Sequence, residues 1–364
     1  MADDTATVDS QSMTRHPAAR PAIGSGENKS PVVAIDVMSG DGGLPVIMDA
    51  VRQLLSQRRD VHLMLVGDAD KIQSNLHKDP VPDGSTTIVP AAEVVTMEDS
   101  AAVALRNKKQ SSMRLAINLV KEGRAGACVS AGNTGALMAI SKFVLKTVPG
   151  IDRPAISTTI PAIDGHTHML DLGANIDCSA EHLYQFATMG SILAQAVDGT
   201  DAPRVGLLNI GSEDIKGNEQ VREAAQLLSN SRLNYTGFVE GTDIYTDNVD
   251  VVVCDGFVGN VSLKTSEGVA RMVSHYIKEE FKASAWNKLV GLFARPILKA
   301  FGDRIDPRRY NGASLLGLQG VVIKSHGSAD QLAFANAINI ALLEIALDVP
   351  NMIRSRMDVT ATTT

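Results

Sequence analysis

The chain has one tryptophan, aromatic residues make up 4% of it, and three cysteines are spread across 364 residues. Cys128, Cys178 and Cys254 are too few and too scattered for a disulfide framework, and they fit a reducing cytosolic compartment. No run approaches the roughly 18 consecutive apolar residues of a membrane span. A basic surplus is absent too: net charge is −7 and the pI about 5.6, which speaks against a nucleic-acid binder. Four catalytic signatures are missing. No G-x-G-x-x-G follows the first strand, no G-x-S-x-G elbow occurs, and neither H-E-x-x-H nor C-x-x-C is found. Classical dinucleotide binding and serine acyl-enzyme chemistry therefore lack support. His166 and His168 would share one strand face, as two metal ligands need, but strand histidines are commonly structural, and no metal and no cofactor is expected.

What the chain does have is a recurring rhythm of short apolar strand, glycine loop and helix. It opens at "PVVAIDVMSGDGG" and returns at "AGACVSAGNTGALMA", "HTHMLDLGANIDC", "VGLLNIGSEDIKGNE", "VDVVVCDGFVGN" and "GVVIKSHGSA". Such alternation predicts a mostly parallel sheet covered on both faces by helices. Residues 1–30 read as a disordered extension without the apolar core of a signal peptide, 31–350 as one α/β/α domain, and 351–364 as a loose tail.

The loops carry little acid, base or thiol. At the carboxyl end of a parallel strand, free backbone amides and a helix N-terminus favour an anion. There are five such loops, Gly40–Gly43, Gly132–Gly135, Gly173–Asn175, Gly211–Gly217 and Gly256–Asn260, and several are expected to share one cleft. Each alone could simply be a turn. The segment "GFVGNVSLKT" approaches a P-loop, but Leu263 stands where glycine precedes the lysine.

The motifs "SAGNTGALMA", "DLGANIDC", "GLLNIGSEDIKGNE", "VDVVVCDGFVGNVSLKTSEG" and "YNGASLLGLQGVVIKSHGSA" closely resemble the PlsX family, in order, from about Val32 to Leu347. "AIDVMSGDGG" also matches, with Ser39 where the family often has glycine. The resemblance implies an acyl-acyl-carrier-protein (ACP):phosphate acyltransferase of bacterial phospholipid synthesis. It implies a three-layer fold related to isocitrate and isopropylmalate dehydrogenases and to phosphotransacetylase, commonly a homodimer. The acyl phosphate would pass to a membrane glycerol-3-phosphate acyltransferase.

Phosphate is already a nucleophile at neutral pH, so no covalent intermediate is needed; the protein must seat a dianion beside a thioester and stabilise an oxyanion. The catalytic candidates are Lys216 as the cation, Asn260 as a donor to the carbonyl or phosphate, and His326 as proton donor to the leaving thiol. Each has a plainer reading: a solvated loop charge, a helix N-cap and a strand-end cap. The substrate-binding candidates are Asp36, Gly40, Asp41, Gly42, Ser130, Gly132, Asn133, Thr134, Gly135, Asn175, Gly211, Asn218, Asp255, Gly256 and Gly259. Which loop holds phosphate and which the pantetheine arm stays open.

Residues 271–309 differ in character. Nine Lys or Arg stand against four acids there, a local +5 in an acidic chain. Trp286, Leu289, Phe293 and Ile297 recur near helical spacing, with Pro296 expected to kink or split the helix. An anionic membrane surface, a dimer partner or ACP would each suit this segment, giving a cytoplasmic enzyme partly associated with the membrane. The rival activities are an acyl-CoA phosphotransacetylase, an NAD-dependent dehydrogenase on the same fold, and a non-catalytic scaffold.

Overall fold

The structure is a computed structural model describing residues 30–361; the extension expected over 1–30 falls, but for Ser30, outside the described residues. Strand β1 (Val32–Asp36) is followed by α1 (Gly43–Gln57), β2 (His62–Gly67), α2 (Ala69–Lys78) and β3 (Thr86–Pro90). Next come α3 (Ala101–Asn107), α4 (Ser112–Lys121), β4 (Ala127–Ser130) and α5 (Thr134–Leu145). The hairpin β5 (Ala155–Ala162) and β6 (Gly165–Leu170) leads to α6 (Ala180–Asp198), β7 (Val205–Leu208), α7 (Glu219–Ser229), β8 (Tyr235–Val239) and β9 (Val251–Val253). The chain closes with α8 (Gly256–Lys282), α9 (Ala285–Ile305), β10 (Ala313–Leu316), β11 (Val321–Lys324), α10 (Gln331–Leu347) and α11 (Val349–Ala361).

All eleven strands form one sheet in the order β3-β2-β1-β4-β11-β10-β5-β6-β9-β7-β8. Runs such as "VVAID" and "VVIK" put branched side chains on both faces, which suits strands covered from both sides. Val33, Ile35 and Ile323 pack toward α1 and α10, while Ala34, Cys128 and Val322 pack toward α4 and α5. A third cluster gathers α6 and α11 over β7 and β9 through Phe186, Leu207, Val251 and Ile353. Each fully buried Ile, Leu or Phe among these contributes about 1.5–3 kcal/mol.

The sheet is two parallel blocks, β3-β2-β1-β4-β11 and β6-β9-β7-β8. Three antiparallel pairings, β11–β10, β10–β5 and β5–β6, lie between them. An odd number of reversals sets the blocks in opposite directions. The carboxyl-end loops therefore emerge as two groups, where several had been expected to share one cleft.

Two further expectations concern the helices. Pro296 does not split its helix: α9 runs through it, and the break falls at Ala283–Ser284, where the Ser284 hydroxyl accepts the Asn287 N–H. A proline removes one helical N–H, whereas an N-cap starts a helix outright. Of the tail expected to be loose, residues 351–361 lie in α11, which buries Ile353 against α6, and 362–364 fall outside the described residues.

Candidate active site

The first group of loops is stitched together at the ends of β1, β4 and β11. Asp36 is buried, and its Oδ2 accepts the Ser130 hydroxyl at 2.7 Å. Burial pushes its carboxyl above the ordinary value, with the hydroxyl hydrogen bond from Ser130 pulling the other way. Ser39 donates to the Asp36 carbonyl at 2.8 Å and accepts the Ala131 N–H at 2.9 Å, so the first loop is pinned to the second. Asp41 N–H donates to the Gly327 carbonyl at 2.8 Å. Gly40 has φ +78°, and a Cβ there would lie 3.0 Å from both Ala131 Cβ and the Gly327 carbonyl. Only glycine lets these three loops close up.

Lys324 ends β11 beside this floor. Its Nζ donates to the Ser325 carbonyl and, at 3.5 Å, to that of Ala131. Burial and the neighbouring Lys264 draw its ammonium down to about 8, against the pull of Asp41. His326 follows after one residue. Its Nδ1 accepts the Ser328 N–H at 3.2 Å, so in the neutral ring the proton sits on Nε2, which lies 3.4 Å from Lys264 Nζ. Burial, then Lys264, lowers its pKa, leaving the imidazole neutral at pH 7.

The second group gathers around Asp171. This buried carboxylate accepts the N–H groups of Ile156, Ala174 and Asn175 and the Asn175 side-chain amide, at 2.7–3.2 Å. Helix α8 starts directly upon that loop: a Cβ on Gly259 would sit 1.9 Å from the Asp171 carbonyl oxygen. Asn260 covers Gly173, whose added Cβ would be 3.5 Å from Asn260 Cβ. One turn further on, about 6 Å along the same helix face, Lys264 reaches His326. Helix α8 thus links the two opposed groups of loops, through Asn260 at one and Lys264 at the other.

The candidate residues separate accordingly. His326, Asp41 and the glycines Gly40, Gly42 and Gly132 belong to the first group, with Thr134 and Gly135 exposed at the start of α5. Asn260, Gly256 and Gly259 belong to the second. Ser130 and Asn175 are committed to Asp36 and Asp171, and so shape loops instead of offering free groups. Asn133, Asn218 and Asp255 are the N-caps of α5, α7 and α8, accepting the Ala136, Val221 and Val258 N–H groups. Asn260, whose plainer reading was an N-cap, lies inside α8. Lys216 pairs with Glu213 at 3.6 Å beside Gly211, and no hydrogen bond or ion pair among the described residues links it to Asn260 or His326. The cations the cleft does contain, Lys324 and Lys264, were missed. Their signals were a lysine closing the apolar run "VVIK" immediately before Ser-His-Gly, and the lysine of the near-miss P-loop.

Comparison with known proteins agrees with this architecture. Residues 32–352 match the model of a family described as fatty acid synthesis protein. A phosphate acyltransferase of Methylococcus capsulatus is 59% identical over 326 residues, 89% of this chain and 96% of that one. That of Nitrosococcus oceani is 57% identical over 331 residues, 90% and 97% of the two chains. Among solved structures, the EutD phosphotransacetylase of Staphylococcus aureus aligns with TM-score 0.57 at 16% identity, covering 88% of this chain and 94% of its own. A 4-hydroxythreonine-4-phosphate dehydrogenase of Klebsiella pneumoniae gives 0.50 at 13%, covering 87% and 99%. These two share the fold of this chain, as the expected α/β architecture requires. The chain belongs to the fatty acid synthesis protein family, the PlsX-type phosphate acyltransferases.

Proposed function

We propose that this phosphate acyltransferase takes its acyl group from an acyl-ACP thioester, transfers it to inorganic phosphate, and supplies the acyl phosphate to phospholipid synthesis. The carrying observation is the meeting of Lys324, Lys264 and a neutral His326 between the two groups of glycine loops. The two ammonium groups and the amides opening α5 attract the dianion. A phosphate oxygen attacks the thioester carbon, the C–S bond breaks, and the thiolate leaves with a proton. Lys324, drawn down to about 8, is matched to a thiol and gives that proton. His326 is already neutral and has none to spare, so its Nε2–H stabilises the tetrahedral oxyanion, with the Asn260 amide as a second donor. No thiol competes as nucleophile: burial raises Cys128 and Cys254 well above the ordinary range and Cys178 to about 12.

The test mixes acyl-ACP with phosphate and traps the product as hydroxamate with hydroxylamine. Hydroxamate that requires both reactants is expected. Equal or faster turnover of acyl-CoA would remove ACP as the preferred donor.

The α8–α9 hairpin is proposed as a peripheral contact with anionic membrane on the cytoplasmic face, which would carry the product toward the glycerol-3-phosphate acyltransferase. Trp286, Phe293 and Ile297 are 70–77% exposed, with Leu289 beside them and lysines flanking. No single helix among the described residues is long and apolar enough to cross a membrane. Phe293→Asp is expected to abolish sedimentation with anionic liposomes while leaving acyl transfer in solution intact. Unchanged sedimentation, with a monomer in place of the expected homodimer, would assign the face to a second copy.

A further inference from the structure

Away from the cleft, at the opposite end of β6 from Asp171, three potential metal ligands converge. His166 and His168 stand two residues apart on one face of β6, as strand geometry requires of alternate residues. Both aim Nε2 at the carboxylate of Asp198: His166 reaches Oδ1 at 2.9 Å and His168 reaches Oδ2 at 2.8 Å. The three ligand atoms lie within 4.8 Å of one another, and the rings meet edge to face with centroids 5.1 Å apart. His166 and Asp171 are separated by about 16 Å of strand, so this cluster is not part of the acyl-transfer site.

Its setting favours a cation. Asp198 is the last residue of α6, where the helix dipole is negative and a carboxylate is out of place without positive charge beside it. The next acid, Asp250, is held by the guanidinium of Arg204 at 2.9 Å and stands behind the cluster as an outer charge. His168 is buried and fixed, whereas the His166 side chain is 35% exposed and leaves an approach from solvent. Two imidazoles and a carboxylate suit zinc, with water in the fourth position. Zinc–ligand bonds near 2.1 Å place tetrahedral ligands about 3.4 Å apart, so the present spacing would have to open by about half an ångström.

We propose that His166, His168 and Asp198 form a second, non-catalytic site for a zinc-like divalent transition-metal ion that clamps the start of β6 to the end of α6. The probes are Zn²⁺ and Co²⁺ alone, added to untagged full-length protein. One equivalent per chain is expected to bind, with the intense visible absorption of four-coordinate cobalt, while Mg²⁺ fails to compete. His166→Gln, at a half-exposed position, and Asp198→Asn are each expected to weaken binding by about tenfold or more. Zinc should raise the unfolding temperature of the wild type and not of either variant. Acyl-phosphate formation by metal-free His166→Gln should match that of the metal-free wild type. Absence of saturable binding by the wild type, or binding unchanged in His166→Gln with circular dichroism showing a native fold, would overturn the site.

Discussion

Lys324→Met should lower acyl-phosphate formation about 10³-fold while leaving the folded protein as stable as the wild type, or more so. The two effects share one cause. Lys324 closes β11 with its ammonium largely buried, hydrogen-bonded to carbonyls and facing another cation, Lys264. Burial lowers its pKa from the ordinary 10.5 to about 8. Between those values the unfolded chain binds the proton that the folded chain has released, so wild-type stability rises with pH across that window. Below pH 8 the buried charge is a burden of up to about 3 kcal/mol, which methionine removes at similar length. Chemistry pulls the other way, because the same ammonium attracts phosphate and protonates the departing thiol. Wild-type turnover should accordingly fall above pH 8, with residual Lys324→Met turnover flat across that range. Near-normal rates in the variant would exclude Lys324 from the mechanism, and a large loss of stability would make its role structural.

Lys216 and Lys324 show what local sequence can and cannot reveal. Lys216 comes after an apolar strand and adjoins Gly217, which marked it as a candidate, whereas Lys324 closes an apolar strand three residues before Gly327 and was passed over. What separates them is the block of the sheet each belongs to, set by pairings such as Ser314 with Ser157 that join residues far apart in the chain. The four-residue strand β10 looks like its neighbours in sequence, yet it begins the reversals that turn the second block around. The glycine loops and buried strands were legible because backbone sterics and apolar pattern are local. Asn133, Asn218 and Asp255 were read as substrate-binding and are N-caps, because their types mark helix starts as readily as ligands. The reach of α8 from Gly259 to Lys264, which unites the cleft, depends on where the helix lies and left no mark in the pattern.

Glu344→Gln should remove a pH dependence of stability that the fold carries at its centre. Glu344 lies on α10, is buried, and has the Ser314 hydroxyl of β10 as its hydrogen-bond partner. Burial raises its carboxyl from 4.5 to about 7, opposed only by that hydroxyl. From pH 4.5 upward the unfolded chain gives up this proton while the folded chain keeps it. The folded state then holds more protons, and stability falls by up to about 1.4 kcal/mol per pH unit until pH 7. Above pH 7 the loss is complete, about 3 kcal/mol, because an ionised carboxylate occupies an apolar site with one donor. Glutamine has the same shape without the charge. Urea midpoints of wild type and variant should coincide near pH 4.5 and separate as pH rises, the variant being more stable at pH 8. Parallel curves at both pH values would show that Glu344 does not titrate in this range. β10 is one of the two strands between the opposed blocks, so charging Glu344 strains the junction that holds both groups of loops in register with α8. At pH 7–8, below the fall set by Lys324, the variant should therefore also retain acyl transfer at elevated temperature, where the wild type loses it first.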